Sequence, residues 1–530
     1  MKTVLIDRRR LLAGAGGLAL FAGLGPAAAA APKFSRYPFS LGIASGDPWP
    51  DGFVLWTRLA PEPLAEHGGM PMVAVPVRWE VAEDARFTRI VQSGEAVARP
   101  ELAHSVHVEV GGLKPHRPYW YRFRVDGADA SPVGVARTAP AAGSAVERLR
   151  LAVVGCQAYP HGWYDAYRHL AEEADLDAVF HYGDYIYETG AHPAPKSLLI
   201  RDATGRIVDR SHFGDEIYSL DDYRRRYAQY KRDPDLQAAH AAAAFVMSFD
   251  DHEVDNNWAS RFDQDGTPPE VFALRRYAAM QAWYEHMPVR RAQLPGPGGI
   301  TMFRRLDFGA LLRMHVLDTR SYRDDQLCEK PGQAACRAEG PRSTILGSAQ
   351  EAWLDAGFRN PARWNLIAQQ VFVMPLYQAG ADGARQLRPG PDSWSGYPAA
   401  RARLVRSIAD HKLTNVVIAT GDAHINAIGT VPRRDDEPDG PAAATEFLAT
   451  SITSGGDGSA QELDRHRALR AASPNVALLN DQRGYHRHDI TPKEWRTEVK
   501  VMDRVQTPGG TLTTLARFTV TPDRPQLHRS

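Results

Sequence analysis

Asp177-Ala178-Val179-Phe180-His181-Tyr182-Gly183-Asp184-Tyr185-Ile186-Tyr187-Glu188 joins an apolar, β-branched and aromatic run to a glycine, a carboxylate and a phenol. The run is short and reads as a buried strand. Its glycine permits close backbone approach, and the polar groups after it stand at the carboxyl end of the strand, where layered α/β folds collect ligands. Three more stretches share this arrangement. Leu149 to Val154 leads into Gly155-Cys156, Ala244 to Phe249 into Asp250-Asp251-His252-Glu253, and Val416 to Thr420 into Gly421-Asp422-Ala423-His424. One such end carries little meaning. Four of them, far apart in the chain and alike in structural position, predict a metal site at the edge of a sheet where their donors can meet.

Outward from these strands, helical segments at Leu220 to Tyr230, Phe272 to His286 and Ala349 to Phe358 alternate with them, which is an α/β pattern. Tyr37 to Thr138 reads differently. Val77 to Val81, His104 to Val110 and Tyr119 to Val125 alternate polar and apolar residues with period two between turn residues such as Gly111-Gly112 and Asp126-Gly127. That spacing predicts a small all-β immunoglobulin- or fibronectin-like sandwich over 37–140. The small-residue stretch Thr138 to Ser144 marks its border with a catalytic region over 149–525, whose last part, Tyr485 to Thr521, returns to β.

The chain of 530 residues is 43% hydrophobic, enough for a sizeable core in more than one domain. Its 63 basic residues balance 63 acidic ones, so no overall field draws in nucleic acid or an anionic membrane. Asp7-Arg8-Arg9-Arg10-Leu11-Leu12, a small-residue apolar stretch to Leu24 and Ala27 to Ala31 form an export signal over 1–31. Paired arginines before the apolar part point to the twin-arginine translocation machinery as a partner and to a periplasmic or secreted protein with no membrane anchor after processing. Cys328 and Cys336 flank a loop-like stretch and are the expected disulfide. Cys156 is then the odd thiol, better explained in an oxidising compartment as a metal ligand than as a core residue. Arg224-Arg225-Arg226, with Asp221 and Asp222 on a helical stretch, reads as a solvated face.

The donors divide by chemistry. Cys156, Asp184 and Tyr187 offer three negative charges, and phenolate is a hard donor suited to a trivalent cation, so ferric iron fits this side better than zinc. Asp184 can bridge to a second side made of oxygen: Asp251, Asp422 and, as a further candidate, Asn257. An oxygen-only set suits calcium, magnesium or manganese, with calcium favoured by an irregular shell and an exported location. Asp250 and Asp251 are neighbours, and strand alternation turns only one of them toward the site. Of His252 and His424, one completes the iron shell and the other is left as an acid. Two such cations with a nearby imidazole suit hydrolysis of a phosphate ester by direct in-line attack, with Asp184 as the carboxylate shared between them.

With the motifs Cys156, Gly183-Asp184-x-x-Tyr187, Asp250-Asp251-His252-Glu253 and Gly421-Asp422-x-His424, the chain resembles the alkaline phosphatase D family. That family belongs to the calcineurin-like metallophosphoesterases and is related to purple acid phosphatases. Leu41-Gly42-Ile43-Ala44-Ser45-Gly46-Asp47-Pro48 and Val54-Leu55-Trp56-Thr57-Arg58 resemble the start of that family's N-terminal β domain. The resemblance implies a layered β-sandwich flanked by helices. It also implies iron on Cys156, Asp184, Tyr187 and His424, calcium on Asp184, Asp251 and Asp422, and His252 as proton donor. Small or polymeric phosphomonoesters and phosphodiesters are the implied substrates, with a phospholipase D activity on lipid head groups as the alternative. The usual purple acid phosphatase has aspartate at Cys156, asparagine at Asp251 and histidine at Asp422, departures that favour calcium here over zinc or manganese.

Overall fold

The computed structural model describes residues 33–530 except 174, 192–197, 329–335 and 339, so the predicted export signal lies outside the described residues. The N-terminal strands are β1 (Ile43–Trp49), β2 (Gly52–Arg58), β3 (Val75–Ala82), β4 (Ile90–Ala98), β5 (Ser105–Val110), β6 (Pro118–Arg124) and β7 (Gly134–Arg137). They form a sandwich: β1, β2 and β5 share one core with the separate sheet β4-β3-β6-β7. Period two becomes packing directly, since Tyr119, Tyr121 and Phe123 of β6 point into this core while Trp120, Arg122 and Arg124 stay half-exposed.

The β1 sheet does not end with the sandwich. β1 pairs in parallel with β10 (Ala244–Met247), Ser45 opposite Ala244 and Gly46 opposite Phe245. A side chain at Gly46 would bring its Cβ within 2.1 Å of the Pro288 carbonyl oxygen, so this junction requires glycine. β10 pairs in parallel with β9 (Ala178–His181), and β9 with β8 (Leu149–Val154). Continuing past β8, the antiparallel β20 (Gly484–Ile490), β21 (Trp495–Met502), β22 (Leu512–Thr521) and β23 (Arg524–Arg529) complete a ten-stranded sheet.

A seven-stranded sheet faces it. Its order is β11 (Arg304–Phe308), β12 (Leu312–Val316), β13 (Trp364–Ala368), β16 (Val416–Thr420), β18 (Ala442–Leu448), β17 (Asn426–Pro432) and β19 (Val476–Asn480); β14 (Tyr377–Ala379) and β15 (Arg385–Leu387) form a separate hairpin. Leu151, Val153, Phe180 and Val246 from the first sheet meet Met314, Leu366, Ala419 and Phe447 from the second in one buried core. The outer face of the second sheet, with Ile367, Ile418 and Ala427, packs on helices that include Leu354, Leu404 and Ile408. Both α/β layers are therefore covered, as buried parallel strands require. The helices predicted at 220–230, 272–286 and 349–358 are present as Leu220–Lys231, Pro269–His286 and Gly347–Phe358, and Cys328 is bonded to Cys336. Among the described residues, no helix is long and apolar enough to cross a membrane.

Candidate metal centre

The carboxyl ends of β8, β9, β10 and β16 converge, and the backbone at these ends is unusual. Cys156 (φ 50°), Asp184 (φ 55°), Asp422 (φ 67°) and His424 (φ 55°) all adopt the left-handed region that side-chain-bearing residues avoid. Such conformations persist where surrounding structure over-determines them. Here the surroundings are visible: Cys156 N donates to Gly183 O and Gln157 N to Asp184 O, each at 3.0 Å. Between the β8 and β16 ends lies the ring of Tyr182, whose hydroxyl donates to Thr450 O at 2.9 Å. A Cβ on Gly155 would stand 2.3 Å from that ring, and one on Gly421 2.1 Å from it. The glycines before Cys156 and Asp422 thus let one tyrosine clamp the two strand ends together.

The donor side chains meet as the four ends do. Three sets each place one donor atom per residue within 4.8 Å of the others: Cys156, Asp184 and His424; Asp184, Asp251 and His252; Asp250, Asp251 and Asp422. Asp184 belongs to two sets and Asp251 to two. Cys156 Sγ is 3.2 Å from Asp184 Oδ2, and Tyr187 Oη is 2.9 Å from the same oxygen and 3.2 Å from His424 Nε2. Burial first, then Asp184 and Asp422, pushes the Cys156 thiol well above its ordinary pKa, and burial followed by Asp184 does the same to Tyr187. The carboxylate oxygens Asp184 Oδ1, Asp250 Oδ2 and Asp251 Oδ1 are buried and accept no hydrogen bond, although Arg320 Nη2 is 3.4 Å from the last. Anionic donors gathered out of water with orphaned oxygens are costly unless a cation completes them. The donor set therefore fits metal ions.

Arg320, in the loop after β12, and Asp392, in a turn after β15, are not among the residues the sequence pointed to. Arg320 is fully buried; its Nε donates to Asp250 Oδ1, Nη1 donates to Asp392 Oδ1 at 2.7 Å, and Nη2 donates to Asp422 Oδ1 at 3.3 Å. It supplies positive charge behind the oxygen side. Asp250 and Asp422 remain raised well above the usual carboxylate range, chiefly by burial, which Arg320 does not offset. Burial opposes ionisation of Asp251 as well, yet Arg320 and His252 hold it below that range. Asn257 N donates to Asp251 Oδ2 at 2.7 Å, and with its amide turned to suit its neighbours Nδ2 also faces Asp251 and Asp392. The structure places Asn257 against Asp251 as a hydrogen-bond donor.

His252 lies beside the donors, its ring 4.1 Å from that of Tyr187. Its Nδ1 is 2.6 Å from Glu188 Oε2; burial works against a charged imidazole, but Glu188, Asp251 and Asp184 raise its pKa well above the ordinary value. Glu253 has a different task. Its carboxylate accepts from Asp184 N (3.1 Å), Tyr185 N (2.6 Å) and Asp250 N (2.8 Å), tying the β9 and β10 ends to each other. Glu253→Gln would turn an amide N–H₂ toward buried N–H donors and is expected to lower stability by about 2–3 kcal/mol in denaturant unfolding.

The reading of Arg224-Arg225-Arg226 as a solvated face needs correction. Arg226 is 1% exposed, and its Nη1 donates to the carbonyls of Tyr187 and Thr189; Arg224 is buried in an ion pair with Glu285. Only Arg225, paired with Asp222, matches that reading. The helix turns two of three arginines inward because carbonyls and an acid wait there. Ser454, in the Ser454-to-Gly458 loop, brings Oγ to 2.6 Å from Tyr187 Oη and donates to Cys156 O at 2.8 Å.

Residues 151–499 match the model of the PhoD-like phosphatase family, and residues 25–140 match that of the PhoD-like phosphatase N-terminal domain. The chain belongs to the PhoD-like phosphatase family. It is 44% identical over 547 aligned residues to alkaline phosphatase D of Bacillus subtilis (strain 168), covering 99% of this chain and 89% of that protein. The solved structure of PhoD superposes with a TM-score of 0.86 at 43% identity, covering 94% of this chain and 93% of that one. These likenesses bear out the expected family, its layered α/β architecture with a β-rich N-terminal region, and its activity as a phosphatase, a hydrolase of phosphate esters.

Proposed function

We propose that this phosphatase is an exported two-metal enzyme that hydrolyses phosphomonoesters and phosphodiesters by in-line attack of water. Iron would be held by Cys156, Asp184, Tyr187 and His424, and calcium by Asp184, Asp251 and Asp422, with Asn257 supporting Asp251. The observation that carries this reading is the overlap of donor sets at Asp184, with a sulfur and phenol side and an all-oxygen side. When bound, such cations supply Lewis acidity toward the phosphoryl oxygens and the attacking water.

The chain's own residues do the rest. Asp184 turns Oδ2 to Cys156 and Tyr187, keeps Oδ1 buried without a hydrogen bond, and is fixed through its backbone N–H by Glu253. Arg226 pins the carbonyl of Tyr187 and so aims its phenol. Glu188 keeps a proton on His252, whose remaining ring nitrogen is the group to protonate the departing alkoxide. Export is supported by the paired arginines among Arg8, Arg9 and Arg10 and by the Cys328–Cys336 bond, which oxidising compartments preserve.

Purified protein is expected to carry iron and to absorb visible light by phenolate-to-iron charge transfer, a band that Tyr187→Phe removes. Chelators should abolish hydrolysis. A colourless, iron-free and fully active preparation would sink the iron assignment.

A further inference from the structure

Tyr159, Pro160 and His161 form a short 3₁₀ turn just beyond the β8 end that carries Cys156. The turn is held from two directions. Arg210 Nε donates to Tyr159 O and to Gly162 O, each at 2.9 Å, its guanidinium lies 3.8 Å from the ring centre of Tyr159, and its Nη2 donates to Asp233 Oδ2 at 2.9 Å. From the other direction, Gly455 N donates to His161 Nδ1 at 3.2 Å. Gly455 follows Ser454, whose Oγ is 2.6 Å from Tyr187 Oη. His161 is therefore one hydrogen bond from the loop that touches the phenol of the centre.

That hydrogen bond decides the chemistry of the ring. A ring nitrogen that accepts an N–H carries no proton, so the proton of His161 is on Nε2 and the imidazole is a neutral donor. Burial first, then His424, His252 and Arg483, hold its pKa down to about 4, which keeps it neutral above that pH and places it in the field of both imidazoles of the site. A cavity of about 540 Å³ opens beside it, with His161 and His212 in its wall. His212 uses both nitrogens, Nδ1 against Thr189 O at 2.6 Å and Nε2 against Tyr230 Oη at 2.8 Å. His161 uses one: its Nε2 has no hydrogen-bond partner among the described residues, and the side chain is partly exposed. A donor fixed in direction and left open beside a metal centre suits an anionic oxygen of the substrate.

We infer that His161 is a phosphate-binding residue of this enzyme, its Nε2–H donating to a phosphoryl oxygen of the ester held at the metal centre. The inference deepens the phosphoesterase reading above and rests on it for where the phosphoryl group lies. A ring that only held Gly455 in place would make the same contact, and two amide variants separate these roles. His161→Asn keeps an acceptor near Nδ1 and lacks the outer donor, whereas His161→Gln sends an amide N–H to about where Nε2 stands and lacks the acceptor.

With metal-loaded protein and an aryl phosphate, His161→Asn is expected to lower kcat/KM roughly 10–100-fold and His161→Gln to stay within about fivefold of wild type. Calorimetry with inorganic phosphate is expected to follow the same order, with binding weakened about tenfold by His161→Asn, little by His161→Gln, and metal content unchanged in both. Losses confined to His161→Gln, equal losses in the two variants, or no loss in either would overturn the assignment. A centre that holds metals other than iron and calcium, with the contrast between the variants intact, counts against the reading above and leaves His161 in its role.

Discussion

Asp184→Asn is expected to lower kcat for phosphoester hydrolysis by about a thousandfold or more, well beyond the roughly 10–100-fold typical of residues that only support ligands. The size of the effect follows from position. Asp184 is the single residue common to the sulfur and phenol side and to the set with Asp251 and His252. Its Oδ2 touches both Cys156 Sγ and Tyr187 Oη, and its Oδ1 is buried without a hydrogen bond. Asparagine keeps the shape and the backbone link to Glu253 but replaces one anionic oxygen by an N–H₂ that cannot bind a cation. Metal analysis should therefore show both iron and calcium reduced while circular dichroism shows the fold retained. A variant that kept most of its activity would remove the basis for a two-metal mechanism.

Deleting residues 37–140 is expected to yield a chain that does not fold cooperatively, although the segment contributes no donor to the centre. Its first strand is the parallel neighbour of β10, so deletion strips β1, β2 and β5 from the ten-stranded sheet and leaves the short, buried β10 as a bare edge. It also removes Trp56, whose Nε1 donates to Glu285 O at 2.9 Å and whose ring lies 4.1 Å from Lys231 Nζ. Arg58, 2.7 Å from His286 Nε2, is lost with it. Leaving this much surface and this many buried polar groups without partners exceeds the ~5–15 kcal/mol that holds a typical domain folded. Soluble yield, dye binding and calorimetry measure the outcome. A soluble deletion product with wild-type turnover would show that the shared sheet is dispensable.

The strand ends were legible because the signal is local. A β-branched run, a glycine and a donor sit within a few residues of one another, and Val416–Thr420 and Leu149–Val154 match their expected bounds. The pairing of β1 with β10 was not, since the partners lie far apart in sequence and neither run says which neighbour it will have. Arg320 and Asp392 were missed for a similar reason: they lie in segments without periodicity, and only the folded chain brings them to Asp250 and Asp422. Glu188 and Glu253 stood inside the very motifs that were read. Their signal was available as carboxylates with no place in either metal shell, which is how residues that orient ligands look from sequence. Arg226 was misjudged because charge on a helix usually means solvent, and the carbonyls of Tyr187 and Thr189 that reverse the rule are invisible until the loop is placed.

The donors come from both sheets and from both halves of the chain: Cys156, Asp184 and Asp251 follow strands of the ten-stranded sheet, whereas Asp422 and His424 follow β16 of the other. During synthesis, the first group leaves the ribosome long before the second. An ion caught early would meet only part of its shell and would be free to exchange. The full set of donors exists only once the two sheets close on each other, so the compartment in which folding is completed would bear on which cation is kept.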